Sequence, residues 1–302
     1  MATPQLSVTI DAGAQPVRPA VKRTNPMVKW PGWAQIVCTV GIFGVMILLS
    51  AWYGVSAKPF SGQYVWTADL ALLSVFFLLV GKWRIGQSLG VLINDRNVMS
   101  LSRLQMAAWT LIVVSGLFLL TIVKVFKGLP LSIELDKTLW AAMGISTASL
   151  VGSPLLLNQK KDQAPSDKSV MRTEVAVDDK QVDENRQGTL YANGSPSEAL
   201  FSDMFEGDEV GNTAYVDMAK VQMFVFTALL VLSYAVSLWY LFGNVHNYLL
   251  NNNLASLRDV ELPKLSDNQV TLLLISHAGY LTSKSVSHTE TGANASAAGA
   301  GN

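Results

Sequence analysis

The chain has 302 residues, half of them apolar and only 15% charged, and its 22 basic and 22 acidic side chains cancel to zero formal net charge. So few charges with a positive mean hydropathy exclude a disordered polyelectrolyte and point to a membrane protein. The single cysteine, Cys38, excludes a disulfide within the chain and a cysteine-based metal site.

Residues 1–33 are polar and contain prolines, and they read as a disordered cytoplasmic tail rather than a cleaved signal peptide. The block 34–99 then holds two apolar runs, 34–53 and 66–81. A helix crosses the hydrocarbon core with about 20 mainly apolar residues, so both are expected to span. Trp33, Trp52, Tyr53, Trp66 and Trp83 fall at their ends, where amphipathic rings favour the headgroup region. Asp69 reads as a first-turn acid favoured by the helix dipole. The loop that follows, GQSLGVLINDRNVMSLSR, is more apolar than a plain linker, and a turn is expected at its NDRN core.

Residues 100–160 recur, loosely but in order, at 217–284. SLSRLQMAAWT lies over DMAKVQMFVFT, and after an insertion GISTASLVGS lies over LISHAGYLTS. Each unit reads as two membrane helices: 104–125 with 139–157, and 221–242 with 270–283. The last run is short and polar, and its alignment with the fourth is what promotes it to a span. Aligned Ser100 and Asp217 can each accept bonds from first-turn amides, so both are expected N-caps, with Asp136 and Ser266 heading the second helices. The expected fold is therefore all-α: a polytopic bundle of six transmembrane helices whose last four form two parallel two-helix repeats.

Helical spacing places Arg103, Met106 and Thr110 in one stripe, matched by Lys220, Met223 and Thr227. Arg103 and Lys220 stand where long basic side chains reach lipid phosphate. Gln105 and Gln222 are amides about one turn into the bilayer, where each needs a partner, either the opposite glutamine across a pseudo-twofold axis or a nearby hydroxyl. On the second helices Ser146 and Ser276 belong to small-residue ridges suited to close packing or to a polar path. His277 is ionisable and inside a proposed span, although its aligned residue is Thr147.

Between the units, residues 161–216 are acidic. Most of this stretch reads as a solvated tether, with a short amphipathic helix over 196–206, headed by Ser195-Pro196-Ser197-Glu198. Gly207-Asp208-Glu209 then reads as a polar connector to the next helix, with a basic partner or a cation as the alternative it could bind. Residues 285–302 read as a disordered tail. Most of the 22 basic residues fall on one side if both termini are cytoplasmic, which sets the expected orientation.

No metal helix, phosphate loop or nucleophile with a base is present, and adjacent Ser276 and His277 point to different helix faces. No catalytic, cofactor or metal residues are expected, and no basic aromatic surface suggests nucleic acid. The ordered motifs NDRN, SLSRLQMAAWT, GDE, DMAKVQMFVFT and ISHAGYLTSK resemble a group of poorly characterised bacterial inner-membrane proteins, over about 86–284. The resemblance implies a bacterial cell membrane location and no particular reaction. The expected function is a membrane scaffold or anchor whose cytoplasmic loop recruits a protein partner or a second copy. The alternative is a small oligomeric channel or transporter with its pathway along the repeated helices.

Overall fold

The computed structural model describes residues 30–56, 60–131, 135–176 and 185–291. Most of the expected N-terminal tail lies outside them, whereas residues 285–291 of the expected disordered C-terminal tail are ordered against the rest of the chain: the His288 amide donates to Glu209, Thr289 is buried, and Thr291 pairs with Pro165. The described chain is all-helical, with only isolated β-bridges in its loops. Its α-helices are α1 (Gly32–Ser56), α2 (Gly62–Ile85), α3 (Leu101–Phe126), α4 (Lys137–Lys161), α5 (Asp167–Ala176), α6 (Met218–Leu250), α7 (Leu254–Arg258) and α8 (Asp267–Ser285). Five of them, α1 to α4 and α6, are long and apolar enough to cross a membrane. Their outer faces leave Val40, Leu48, Val151, Leu155, Leu229 and Leu232 more than half exposed, which suits lipid contact better than water. The bilayer is accordingly the surrounding solvent for this bundle.

Side chains set several helix starts. Asp217 accepts from the Ala219 and Lys220 amides at the head of α6, and Asp136 accepts from Thr138 at the head of α4. Ser266 and Gln269 form a reciprocal capping box on α8. Ser100 occupies the N-cap of α3 without a side-chain bond, and Ser102 bonds elsewhere.

The longest helix, α6, runs for 33 residues, or about 50 Å, and overshoots the roughly 30 Å hydrocarbon core. α8 has 19 residues and packs along α4 and α6, while its outer face exposes Leu272, Leu274 and Ile275. α3 sits in the middle, against α1, α2, α4 and α6. Its buried Trp109, Ile112, Leu119, Leu120 and Val123 form the centre of the main core with Leu230, Tyr234, Leu238 and Phe242 of α6.

The two ends of the bundle are closed differently. At the end away from the cap described below, Lys124 in the last turn of α3 is fully buried and donates to the Arg258 and Val260 carbonyls at 3.0 and 2.8 Å. This ammonium ties the α6–α8 connection to α3. At the other end lie the α2–α3 loop, residues 185–216, α5 and the segment after α8, which together build an irregular cap. Trp30 packs beside Trp83, and Pro165 pairs with Thr291, so both described chain ends reach this same face.

Three expectations change. Asp69 is not in the first turn of its helix, because α2 starts at Gly62; it is fully buried and accepts from the Ser50 hydroxyl at 2.7 Å. The acidic stretch is not a plain tether, since α4 runs on to Lys161 and α5 follows. The amphipathic helix expected over 196–206 is two 3₁₀ turns, Pro196–Glu198 and Phe201–Met204, separated by extended backbone at Ala199 and Leu200. Asp203 explains the break: its carboxylate accepts from the amides of both Leu200 and Met99, which draws this segment onto the α2–α3 loop.

Candidate functional site at the capped end

The NDRN sequence folds as a tight hairpin. Asn94 accepts from the Arg96 amide through its side chain and pairs with Val98 through its backbone, while Asn97 takes a positive φ of 58°. Asn97 and Asn193 then donate their side-chain amides to each other's carbonyls at 3.0 and 2.9 Å. The hairpin is thereby fixed to the cap, and Arg96 at its tip is 3% exposed.

Arg96 reaches Asp208. Its guanidinium lies 2.5 Å from Oδ1 and also donates to the Asp208 and Tyr191 carbonyls, each at 3.0 Å. The other carboxylate oxygen, Oδ2, lies 2.6 Å from Nζ of Lys284 and 3.1 Å from Nζ of Lys220. Three cations from three segments, the hairpin, the first turn of α6 and the last turn of α8, converge on one carboxylate. Burial by itself would raise the Asp208 pKa, but Lys220, Lys284 and Arg96 hold it well below the usual carboxylate range.

Glu209, the next residue, is 1% exposed and faces the other way. Lys160, in the last turn of α4, lies 2.6 Å from its carboxylate and donates to the Lys284 and Val286 carbonyls at 2.7 and 2.6 Å. The same carboxylate accepts from the His288 amide, so it holds the chain after α8 as well. Gly188 makes the approach to α4 possible: its φ is +63°, and a Cβ there would run into the Lys160 and Lys161 carbonyls. The acidic connector is thus an internal clamp with its basic partners in this chain. A local reading could not pair these charges, because each contact spans a different loop.

Beneath the clamp Tyr280 joins α8 to its neighbours. Its hydroxyl shares hydrogen bonds with Ser102 of α3 at 2.8 Å and Ser153 of α4 at 3.3 Å, and Lys284 sits 4.8 Å from the centre of its ring. A cavity of about 480 Å³ opens beside this group, between α2, α3 and α4, with Arg96, Lys220 and Lys284 at its polar end.

The residues singled out from sequence separate here. Gln105 is fully buried and donates to the Thr227 hydroxyl of α6, whereas Gln222 is exposed, so the two glutamines do not meet. Ser146 and Ser276 are both buried; Ser276 donates to the Leu273 carbonyl of its own helix. His277 is 2% exposed, with Nδ1 2.6 Å from the Ser149 hydroxyl of α4. Lys220 turns inward to Asp208 and the Glu206 carbonyl instead of outward to lipid. Arg103 is half-buried and lines the cavity. Among the described residues no group of three histidine, cysteine or acidic side chains is arranged to hold a metal ion.

Comparison of the chain with family models, with curated proteins and with solved structures finds no match in any of the three.

Proposed function

We propose that this chain is an integral scaffold or anchor of the bacterial inner membrane, without chemistry of its own, which holds its cap as a fixed platform for a protein partner or a second copy. The observation that carries this reading is the double clamp of Asp208 and Glu209, which fastens the long connector to the bundle end. A tether needs no buried ion pairs, whereas a platform needs a defined shape. The cap also leaves Met171 and Val175 of α5 65% and 87% exposed, one helical turn apart on a helix outside the spans. In this reading α8 is the sixth span, α3–α4 and α6–α8 are parallel repeats, and the cap and both termini are cytoplasmic. The basic residues around the cap support that orientation.

Purification of the intact protein from its native membrane in mild detergent tests the proposal. A stoichiometric partner or homo-oligomer should co-purify, and Met171→Asp with Val175→Asp should remove it while the bundle keeps its thermal stability. An unaccompanied monomer from the wild-type chain would overturn the reading.

A polar pathway is the second reading, and one observation favours it. Gln105 Oε1, Ser146 Oγ and His277 Nε2 are buried without a hydrogen-bond partner among the described residues, a costly arrangement that internal water or a passing solute would relieve. Solute or ion flux in liposomes, reduced by Gln105→Leu and unchanged by the exposed Gln222→Leu, would support it; no flux under a broad screen would dismiss it.

A further inference from the structure

The two copies of the basic stripe have different surroundings. In α6, Lys220, Met223 and Thr227 are all packed away, with 4%, 0% and 6% exposure. In α3 their counterparts Arg103, Met106 and Thr110 are each half-buried and line the cavity between α2 and α4. The same stripe is filled on one helix and hollow on the other.

The hollow is graded along its length. Towards the bilayer its wall is Phe77 of α2 with Leu150, Pro154 and Leu157 of α4, all apolar. At the cap end the lining carries Arg96, Arg103, Lys161, Lys220 and Lys284 against only two carboxylates, Asp95 and Asp208. Those two are already engaged. Asp95 lies 2.6 Å from Lys161, and Asp208 serves three cations at once. Arg103 has no carboxylate within ion-pair distance among the described residues, and its single hydrogen bond, to the Val91 carbonyl, is long at 3.5 Å. A surplus of positive charge held in a partly desolvated space is unfavourable unless an anion enters. A guanidinium with its donors unspent is the group best shaped to meet phosphate oxygens.

We infer that this cavity binds a phosphate-bearing amphiphile of net negative charge, with the phosphate on Arg103 beside the Asp208 clamp and an alkyl chain along Phe77, Leu150 and Leu157. The volume is within the range of small-molecule sites, about 300–1,000 Å³, and half of the wall has no use for a bare inorganic ion. The site lies where a lipid phosphate would stand, so phosphatidylglycerol from the surrounding leaflet is the natural source, and free phosphate is the competing one. The inference stands whether or not the cap recruits a protein.

The test uses the full chain in a nonionic detergent, with binding read by native mass spectrometry and by intrinsic tryptophan fluorescence. Short-chain phosphatidylglycerol, phosphatidylcholine of the same chain length, and inorganic phosphate are titrated separately. Phosphatidylglycerol should bind saturably at one per chain and more tightly than either of the others. Arg103→Gln should weaken it about tenfold or more, and Arg103→Lys should restore part of the loss. Thr110→Trp, which fills the apolar end and leaves every charge in place, should also weaken it, and unchanged thermal stability of that variant separates blockage from misfolding. Equal binding of phosphatidylcholine, equal binding of inorganic phosphate, or wild-type affinity in both Arg103→Gln and Thr110→Trp would each overturn the assignment.

Discussion

Nζ of Lys284 lies 2.6 Å from Oδ2 of Asp208, although 76 positions of chain separate them. That contact joins the end of α8 to the connector, and with Arg96 and Lys220 on the same carboxylate it makes the cap and the bundle one mechanical unit. Replacing Asp208 with Asn keeps the shape and removes the charge that three cations share. Breaking a buried pair by neutralising one partner costs about 3–5 kcal/mol, because the remaining charges stay desolvated. Asp208→Asn should lower the melting temperature in detergent and open residues 185–216 to limited proteolysis, whereas Asp162→Asn on the exposed end of α4 should do neither.

The clamp also has a defined pH response. The folded Asp208 pKa is depressed below its ordinary 3.8, so its contribution to stability is complete above that value and is lost as pH falls through the lower folded value. Protease protection of the cap should hold unchanged from neutral pH down to about 4 and disappear only in stronger acid. Loss of protection between pH 7 and pH 5 would show that the clamp does not hold the cap.

Lys160 and Lys161 are adjacent and both touch carboxylates, yet they should behave oppositely. Lys160 is buried, meets Glu209 and satisfies two carbonyls. Lys161 and its partner Asp95 keep 30% and 64% of their side-chain exposure. Lys160→Met is expected to destabilise by several kcal/mol, about 3–5 by the rule for buried pairs, and Lys161→Met by no more than about 1. Thermal denaturation of the two variants side by side reads the difference.

Gln105 and Gln222 offer a comparable contrast between a buried and an exposed amide. Gln105→Leu removes the bond to Thr227 and leaves a buried hydroxyl unpaired, a loss of about 1–3 kcal/mol. A double-mutant cycle with Thr227→Val should recover part of that cost, because both polar partners are then gone. Gln222→Leu, on the exposed face of α6, should be close to neutral.

At the far end, Lys124→Met should release the α6–α8 connection, since the Arg258 and Val260 carbonyls lose their shared donor. Hydrogen exchange of residues 254–262 should rise in that variant, with the cap at the opposite end unchanged.

Much of this was legible without coordinates. Length, apolar runs and cap residues sufficed for the all-helical class, for five of the six expected spans as helices long and apolar enough to cross a membrane, and for helix starts at Asp136, Asp217 and Ser266. These depend on hydrophobicity and on bonds between residues two or three positions apart, which sequence spacing encodes directly. The expected 196–206 helix failed despite good local signals, because Asp203 has a stronger use as acceptor for the distant Met99 amide.

The site was different in kind. The chain alone determined that Asp208, Glu209, Arg96, Lys160, Lys220 and Lys284 exist near helix ends and loops, and it left Gly207-Asp208-Glu209 readable as a plain polar connector. Only the tertiary structure decided which charges meet, because a pairing between side chains in separate loops depends on how the helices between them are arranged. It also decided that Lys220, Met223 and Thr227 are packed while the similarly spaced Arg103, Met106 and Thr110 line a cavity. Two segments with matching residues share a helical face by periodicity, but the neighbours that cover that face are set by the whole bundle.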